Sequence, residues 1–317
     1  MHEPDSAGAI TGERGQRMRS MILLPLIGLL ASGLSLAQFG GREGDVVIYA
    51  VSAKGVGDPV VVPATTVNTA TGFETRDPLR MPEQPFGPDF PGEFFVTLHS
   101  EANDSFRFVI QKEDILTQHN RFLAAGKVLI MQGIDRLVIP DKEPVDLTAG
   151  LYAPFPAGVD FGPELPILEA NSFLWTAAPF FPLIQAADPS FKGPMVPADK
   201  TGSEYVLTLG QFMGIIPFKG WDKLYPNVGW PQGIDEKFIE HDPALAVTVR
   251  LIRIRGGRKT PPFMIRANTH LAVLSGSVQI SPLNGTATTL TRKQYAFVPN
   301  GFAITLANPK EYTGIYR

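Results

Sequence analysis

Apolar and polar residues alternate along short runs of this chain, and the runs are broken by glycine and proline. Residues 249–255 (VRLIRIR) alternate apolar and basic positions, the two-residue period of a half-buried β-strand. Residues 271–280 (LAVLSGSVQI) read as a strand, a bend centred on Gly276 and the start of a second strand. Glycine suits a bend where a Cβ would clash. Residues 295–298 form a further strand that stops at Pro299-Asn300-Gly301, and residues 302–306 begin the next. Proline fixes φ and glycine permits a positive one, so that tripeptide is a turn. Short strands separated by such turns predict a sandwich or barrel.

Two runs depart from this pattern. Residues 21–37 (MILLPLIGLLASGLSLA) are apolar, follow Arg14, Arg17 and Arg19, and end in the small-x-small triplet Ser35-Leu36-Ala37. That is the make-up of an export signal cut before Gln38. An uncleaved anchor is the alternative, and Met18 is an alternative start. Export places the mature protein in the periplasm or outside the cell, with no stable membrane span after cleavage. Residues 173–187 (FLWTAAPFFPLIQAA) hold Pro179, Pro182 and Gln185 and are too short to cross a bilayer. They read as a buried connector or a short helix.

The strand pattern recurs at an offset of 143 residues. Residues 147–158 (LTAGLYAPFPAG) match residues 290–301 (LTRKQYAFVPNG) at Leu, Thr, Tyr, Ala, Pro and Gly. The same offset pairs Gly133 with Gly276, Arg107 with Arg250, Phe95 with Phe238, Glu93 with Glu236 and Pro88 with Pro231. A register kept over so long a span implies a duplicated unit. The expected organisation is an N-terminal extension and signal over 1–37, a first domain over 38–165, a connector with leading strands over 166–230, and a second domain over 231–317.

Composition narrows the function classes. Apolar residues make up 44% of the 317 and charged residues 19%, enough for a sizeable core. A net charge of −3 gives no electrostatic reason to expect nucleic acid. The absence of cysteine excludes disulfides, thiolate metal sites and thiol nucleophiles. No Gly-x-Ser-x-Gly elbow, phosphate loop or dinucleotide fingerprint occurs.

The second copy resembles the cupin superfamily. Its first motif aligns as Gly257-x5-Phe263-x-Ile265-x3-Thr269-x6-Gly276, and its second as Lys293-x5-Pro299-x-Gly301-x2-Ile304-x3-Asn308. Gly257, Gly276, Pro299, Gly301 and Asn308 keep the family spacing, and Lys293 replaces a glycine. The resemblance covers about residues 232–308 and, more loosely, their repeat. It implies an all-β protein of two tandem jelly-roll barrels, with short helices in the connectors. In cupins the four metal-ligand positions carry three histidines and a glutamate. Here they hold Phe263, Ile265, Thr269 and Ile304. In the first copy they hold Asn120, Phe122, Gly126 and Phe161, with Gly133, Pro156 and Gly158 as scaffold. Hydrocarbon offers no lone pair and a lone hydroxyl is a poor neutral ligand, so neither a metal nor another cofactor is expected in either barrel. Phe263, Ile265, Thr269, Ile304, Asn120, Phe122 and Phe161 remain as candidate lining of the two cups.

Other chemistry is sparse. His119 and His270 each neighbour a ligand position and should point out of their barrels, because adjacent strand residues face opposite ways. His99 and His241 read as isolated. Tyr152 and Tyr295, repeated before the Pro-x-Gly turn, read as strand-end packing with the hydroxyl on a backbone carbonyl. Glu113-Asp114, Asp235-Glu236 and Glu240 read as acids on solvated loops. Trp221, Tyr225 and Trp230, in an aromatic stretch over 212–230, read as a loop packed on a barrel. No catalytic residue emerges. A metal-free binding or structural protein of the cell envelope, with a small apolar or sugar-like ligand, is the first expectation. A cofactor-independent enzyme on a small exported substrate is the second. A homodimer through strand edges stays open, as does pairing of the two halves within one chain.

Overall fold

The computed structural model describes residues 39, 41–55, 57–86, 91–117, 120–122, 124–138, 143–157, 159–161, 163–177, 195–197, 213–214, 221–223 and 230–310. Residues 1–37, His119, Tyr225 and residues 178–187 fall outside them. The regular elements of the described residues are antiparallel β-strands, apart from the 3₁₀ turn Pro78–Arg80. Among them no helix is long and apolar enough to cross a membrane.

Four sheets form two barrels. In the second barrel a seven-stranded sheet runs in the order Asp222–Lys223, Ile234–Asp242, Val247–Ile254, Val46–Ala53, Asn268–Ser275, Tyr295–Val298, Glu74–Arg76. A five-stranded sheet opposes it: Val60–Val61, Phe263–Met264, Ala303–Ala307, Ser277–Pro282, Thr288–Thr291. In the first barrel the large sheet runs Met213–Gly214, Leu151–Phe155, Gly126–Leu137, Glu164–Thr176, Asp104–Gln111, Glu93–Glu101, Gln84–Pro85, with Val145–Thr148 beside Gly126–Leu137. The small sheet is Val159–Phe161, Asn120–Phe122, Met195–Pro197.

The repeat is visible strand by strand. Asp104–Gln111 and Val247–Ile254 have the same length and lie 143 residues apart, as do Val145–Thr148 and Thr288–Thr291. Gly133 and Gly276 both take a positive φ, 85° and 76°. A Cβ there would lie 2.1 Å from the Glu169 carbonyl oxygen and 2.6 Å from that of Asp45. The glycines are therefore required by close backbone approach as well as by conformation. Lys293, where cupins have glycine, also has a positive φ of 75°.

The chain-order division into 38–165 and 231–317 does not follow the sheets. Val46–Ala53 lies between Val247–Ile254 and Asn268–Ser275 of the second barrel. Val60–Val61 and Glu74–Arg76 also pair with second-barrel strands. The matching slot of the first barrel holds Glu164–Thr176, which includes the first part of the run expected as a connector or helix. Each barrel thus takes a central strand from outside its repeat.

Side-chain alternation explains the placement. On Val46–Ala53, Val46, Ile48 and Ala50 enter the second barrel while Val47, Tyr49 and Val51 enter a separate core between the barrels. Phe106 and Phe108 join that central core and Val109 turns into the first barrel. The large sheets are buried on both faces, which is why 46–53 is a nearly unbroken apolar run. The half-buried reading of 249–255 is corrected for the same reason. Val249 and Leu251 face the seam, and Ile252 and Ile254 face the barrel.

Candidate functional site

Phe263, Ile265 and Ile304 belong to the apolar cluster that fills the second barrel. They are 2%, 6% and 0% exposed. Phe263 and Ile304 sit on adjacent strands in direct register. Trp230 packs against Phe263 with ring centroids 4.8 Å apart. Thr269 is buried, donates to the Ala267 carbonyl at 3.0 Å, and shares a hydrogen bond with Ser52 Oγ at 3.1 Å. These four side chains do not fit a first-row divalent ion: three have no lone pair, and the hydroxyl is engaged within the protein. Asn308 has a scaffold role, its amide donating to the carbonyls of Gly44 at 2.7 Å and Ile254 at 3.0 Å.

Above Ile265 and Thr269 lies a cavity of about 300 Å³, within the range of small-molecule pockets. Its wall includes Arg250, Asp58, His241, Thr248 and Phe238. Arg250 Nε lies 2.9 Å from Glu236, and its terminal nitrogen 3.5 Å from Asp58. The guanidinium also lies over the Phe238 ring, 5.4 Å from its centroid. His241 Nδ1 is 3.0 Å from Thr248 Oγ1. The cavity therefore combines both charge signs, neutral hydroxyls and an exposed ring face.

The first barrel differs. Arg107, the counterpart of Arg250, is fully buried, and burial lowers its pKa to about 9, leaving it charged at neutral pH. Glu93, Asp135, Glu164 and Gln111 are also buried. Gln111 donates to Glu164 at 2.8 Å. Burial, then the Asp135 charge, pushes the Glu164 pKa well up, and burial raises that of Asp135. Asn120, Phe122 and Phe161 lie on the small sheet, with Asn120 opposite Phe161.

Two polar clusters close the seam between the barrels. In one, buried Lys127 of the first barrel reaches Glu240 at 2.5 Å and Asp242 at 2.9 Å. Tyr152 donates its hydroxyl to Glu240. In the other, His270 of the second barrel lies 2.7 Å from Asp104 and 2.7 Å from the Tyr295 hydroxyl. Trp175 also donates to Asp104, at 2.7 Å. Burial alone would raise the Asp104 pKa, but the facing His270 and the indole N–H outweigh it and hold it at about 2. Burial and neighbouring His270 lower that of His99 to about 4.

The clusters occupy equivalent places. Lys127 pairs with Pro154 and Trp175, and His270 with Phe297 and Val51. After a bulge in each strand, His99 lies opposite Phe106 and Glu240 opposite Val249.

Several expectations are corrected here. His99 is not isolated: it stacks on Phe297 at 3.8 Å and lies 5.3 Å from His270. Tyr152 and Tyr295 bond side chains rather than carbonyls: Glu240 of the facing barrel accepts from Tyr152, and His270 on the neighbouring strand of its own barrel partners Tyr295. Asp235, Glu236 and Glu240 are on a strand, not a loop, and pair with Arg253, Arg250 and Lys127. Glu113 and Asp114 do lie in an exposed turn. His270 points away from the second barrel's interior and into the seam. Trp221 carries Arg253 over its ring at 4.4 Å. The missed signals were His99-x-Glu101-x2-Asp104 across a hairpin, and the coincidence of Lys127 with His270 at the repeat offset.

No protein-family model matches the chain, and comparison with curated proteins finds no match. Solved structures do match. An oxalate decarboxylase from Lactobacillus farciminis in complex with formate has a TM-score of 0.50 at 12% identity, covering 80% of this chain and 86% of that one. A cupin 2 conserved barrel domain protein from Leptotrichia buccalis gives 0.45 at 10%, covering 71% and 87%. An oxalate decarboxylase from Bacillus subtilis gives 0.45 at 11%, covering 78% and 75%. At such identity likeness carries fold alone. The chain has the cupin fold, repeated in two barrels.

Proposed function

We propose that this two-barrel protein is an exported binding protein for a small, hydroxyl-rich, sugar-like ligand, held at the mouth of the second barrel without a metal in the cup. The observation that carries the reading is the cavity of about 300 Å³ directly above the side chains that fill the barrel. An apolar guest inside the second barrel finds its space already taken by Phe263, Ile265 and Ile304. Above them, Arg250 and Asp58 offer donors and acceptors to hydroxyls, and the Phe238 ring, 45% exposed, offers a face on which a sugar ring stacks. Export rests on the apolar run over 21–37; N-terminal sequencing of the protein recovered outside the cytoplasm tests it, with Gln38 as the expected first residue.

Binding is tested by isothermal titration with a panel of monosaccharides, sugar acids and alkanoic acids. Saturable binding of a hydroxylated compound, weakened by Phe238→Ala and by Asp58→Ala, is expected. Binding that favours alkanoic acids and ignores both substitutions refutes the reading. A second reading, a cofactor-independent enzyme, is favoured by the buried acids Asp135 and Glu164 of the first barrel, whose raised pKa values suit proton transfer. Loss of a turnover activity in Glu164→Gln with unchanged stability at pH 5 supports it.

A further inference from the structure

We infer that the seam between the barrels contains a binding site for a divalent transition-metal ion, formed by His99, Glu101 and Asp104. One ligand atom from each lies within 4.8 Å of the others. The geometry follows from a hairpin. His99 and Glu101 are two apart on Glu93–Glu101 and share a face, and Glu101 pairs directly with Asp104. This site is separate from both cups and does not depend on the ligand proposed above.

Three observations point to a cation. First, His99 is 9% exposed and its Nε2 makes no hydrogen bond among the described residues. The ring is fixed by stacking on Phe297, and Nε2 lies 3.5 Å from Glu101 Oε1. A buried nitrogen left without a partner is costly unless something coordinates it. Second, the other seam shows what occupies the equivalent place: the Lys127 ammonium, bound by Glu240 and Asp242. By register His99 matches Glu240, Glu101 matches Asp242 and His270 matches Lys127. Both ring nitrogens of His270 are used on Tyr295 and Asp104, so no side chain from position 270 delivers a cation between residues 99 and 101. Third, free coordination capacity remains. Asp104 Oδ1 accepts from Trp175 and His270, while Oδ2 has, among the described residues, only a 3.4 Å contact from the Asn268 amide.

The donor set selects the metal class. One imidazole and two carboxylates suit zinc, manganese or iron(II) rather than a soft or an all-oxygen ion. Glu101 is about half exposed, so water can complete the coordination. Lys54 opposes the ion, its ammonium lying 2.8 Å from Glu101 Oε2.

The test uses the whole protein, stripped with chelator and titrated separately with zinc chloride and manganese chloride. Bound metal is measured by mass spectrometry, and manganese also by electron paramagnetic resonance. One ion per chain is expected. Glu101→Gln should weaken it at least roughly tenfold, and Lys54→Ala should tighten it by removing the opposing charge. His99→Ala should abolish it; if that variant fails to fold, the two surface substitutions carry the test. Less than half an equivalent bound, or affinities unchanged in both Glu101→Gln and Lys54→Ala, overturns the inference.

Discussion

Replacing Lys127 with methionine isolates the contribution of one seam. Methionine keeps the length and packing of the lysine stem and removes only the ammonium. The Lys127 side chain is 3% exposed, and its partners Glu240 and Asp242 are 19% and 23% exposed. Two charge-assisted hydrogen bonds are lost, each worth ~1.5–3 kcal/mol. The lysine's own desolvation cost is removed, and the two carboxylates retain some access to water. The net loss should be about 2–4 kcal/mol, somewhat below the ~3–5 kcal/mol for breaking a fully buried pair, because the carboxylates are partly exposed. For a chain of this size that is a fall in Tm of roughly 3–7 °C. The loss should also depend on pH. Burial raises the Asp242 pKa, but hydrogen bonds from Lys127 and from the Leu245 and Ala244 amides outweigh it and lower it overall. A lowered carboxylate pKa contributes stability above its unfolded value and loses it as pH falls through the folded one. Removing Lys127 takes away part of that contribution, so the deficit should be largest near neutrality and shrink in acid. Urea unfolding followed by circular dichroism at pH 3.5, 5 and 7 measures it. A deficit under about 1 kcal/mol at pH 7, or one equal at all three pH values, refutes the reasoning.

Three further outcomes are expected. Gly276→Ala and Gly133→Ala should each cost at least about 2 kcal/mol in urea unfolding, since both combine a positive φ with a Cβ inside backbone contact; Gly133→Ala should be the worse, its new carbon meeting the Glu169 carbonyl at 2.1 Å. Ile304→Ala should cost about 2–5 kcal/mol, because a fully buried side chain leaves a cavity in the second barrel. Glu164→Gln should become progressively more stable than the parent as pH rises from 5 to 9. The raised Glu164 pKa means that its stabilising protonated form is lost as pH climbs through the folded value, and equal stability differences at both ends would refute this.

The barrels were legible because strand and turn signals are local. Period-two runs, Pro-x-Gly turns and glycines under backbone constraint each act within a few residues, and the 143-residue offset aligned them twice. Val46–Ala53 was not placed by the same signals. Its apolar character says that both faces are covered, but nothing local says by which barrel. Pairing Val51 with Val249 and His270 joins parts of the chain about two hundred residues apart. Alternation in residues 249–255 misled for a related reason: it implied one wet face, whereas Val249 and Leu251 face the seam and Ile252 and Ile254 face the barrel interior.

The repeat also concealed chemistry by diverging where the barrels meet. Leu147, Tyr152 and Gly133 match their counterparts because both barrels need the same turn, strand end and bulge. Lys127 and His270 do not match, nor do His99 and Glu240, and these unlike residues are the ones in register across the seam. A duplicated unit facing its copy would bring identical groups together at both ends of the interface. If both ends carried lysine against two acids, they would be equivalent salt bridges and nothing more. Exchanging lysine for an imidazole that spends both nitrogens on Asp104 and Tyr295 breaks that equivalence. It leaves His99 and Glu101 together without the ammonium that holds Glu240 and Asp242, and restoring it gives a direct check. His270→Lys should place an ammonium near His99 and Glu101, and zinc binding to that variant should fall at least roughly tenfold. Undiminished zinc binding in a folded His270→Lys protein would show that the two seams are not equivalent in charge, and that their register alone does not locate the ion.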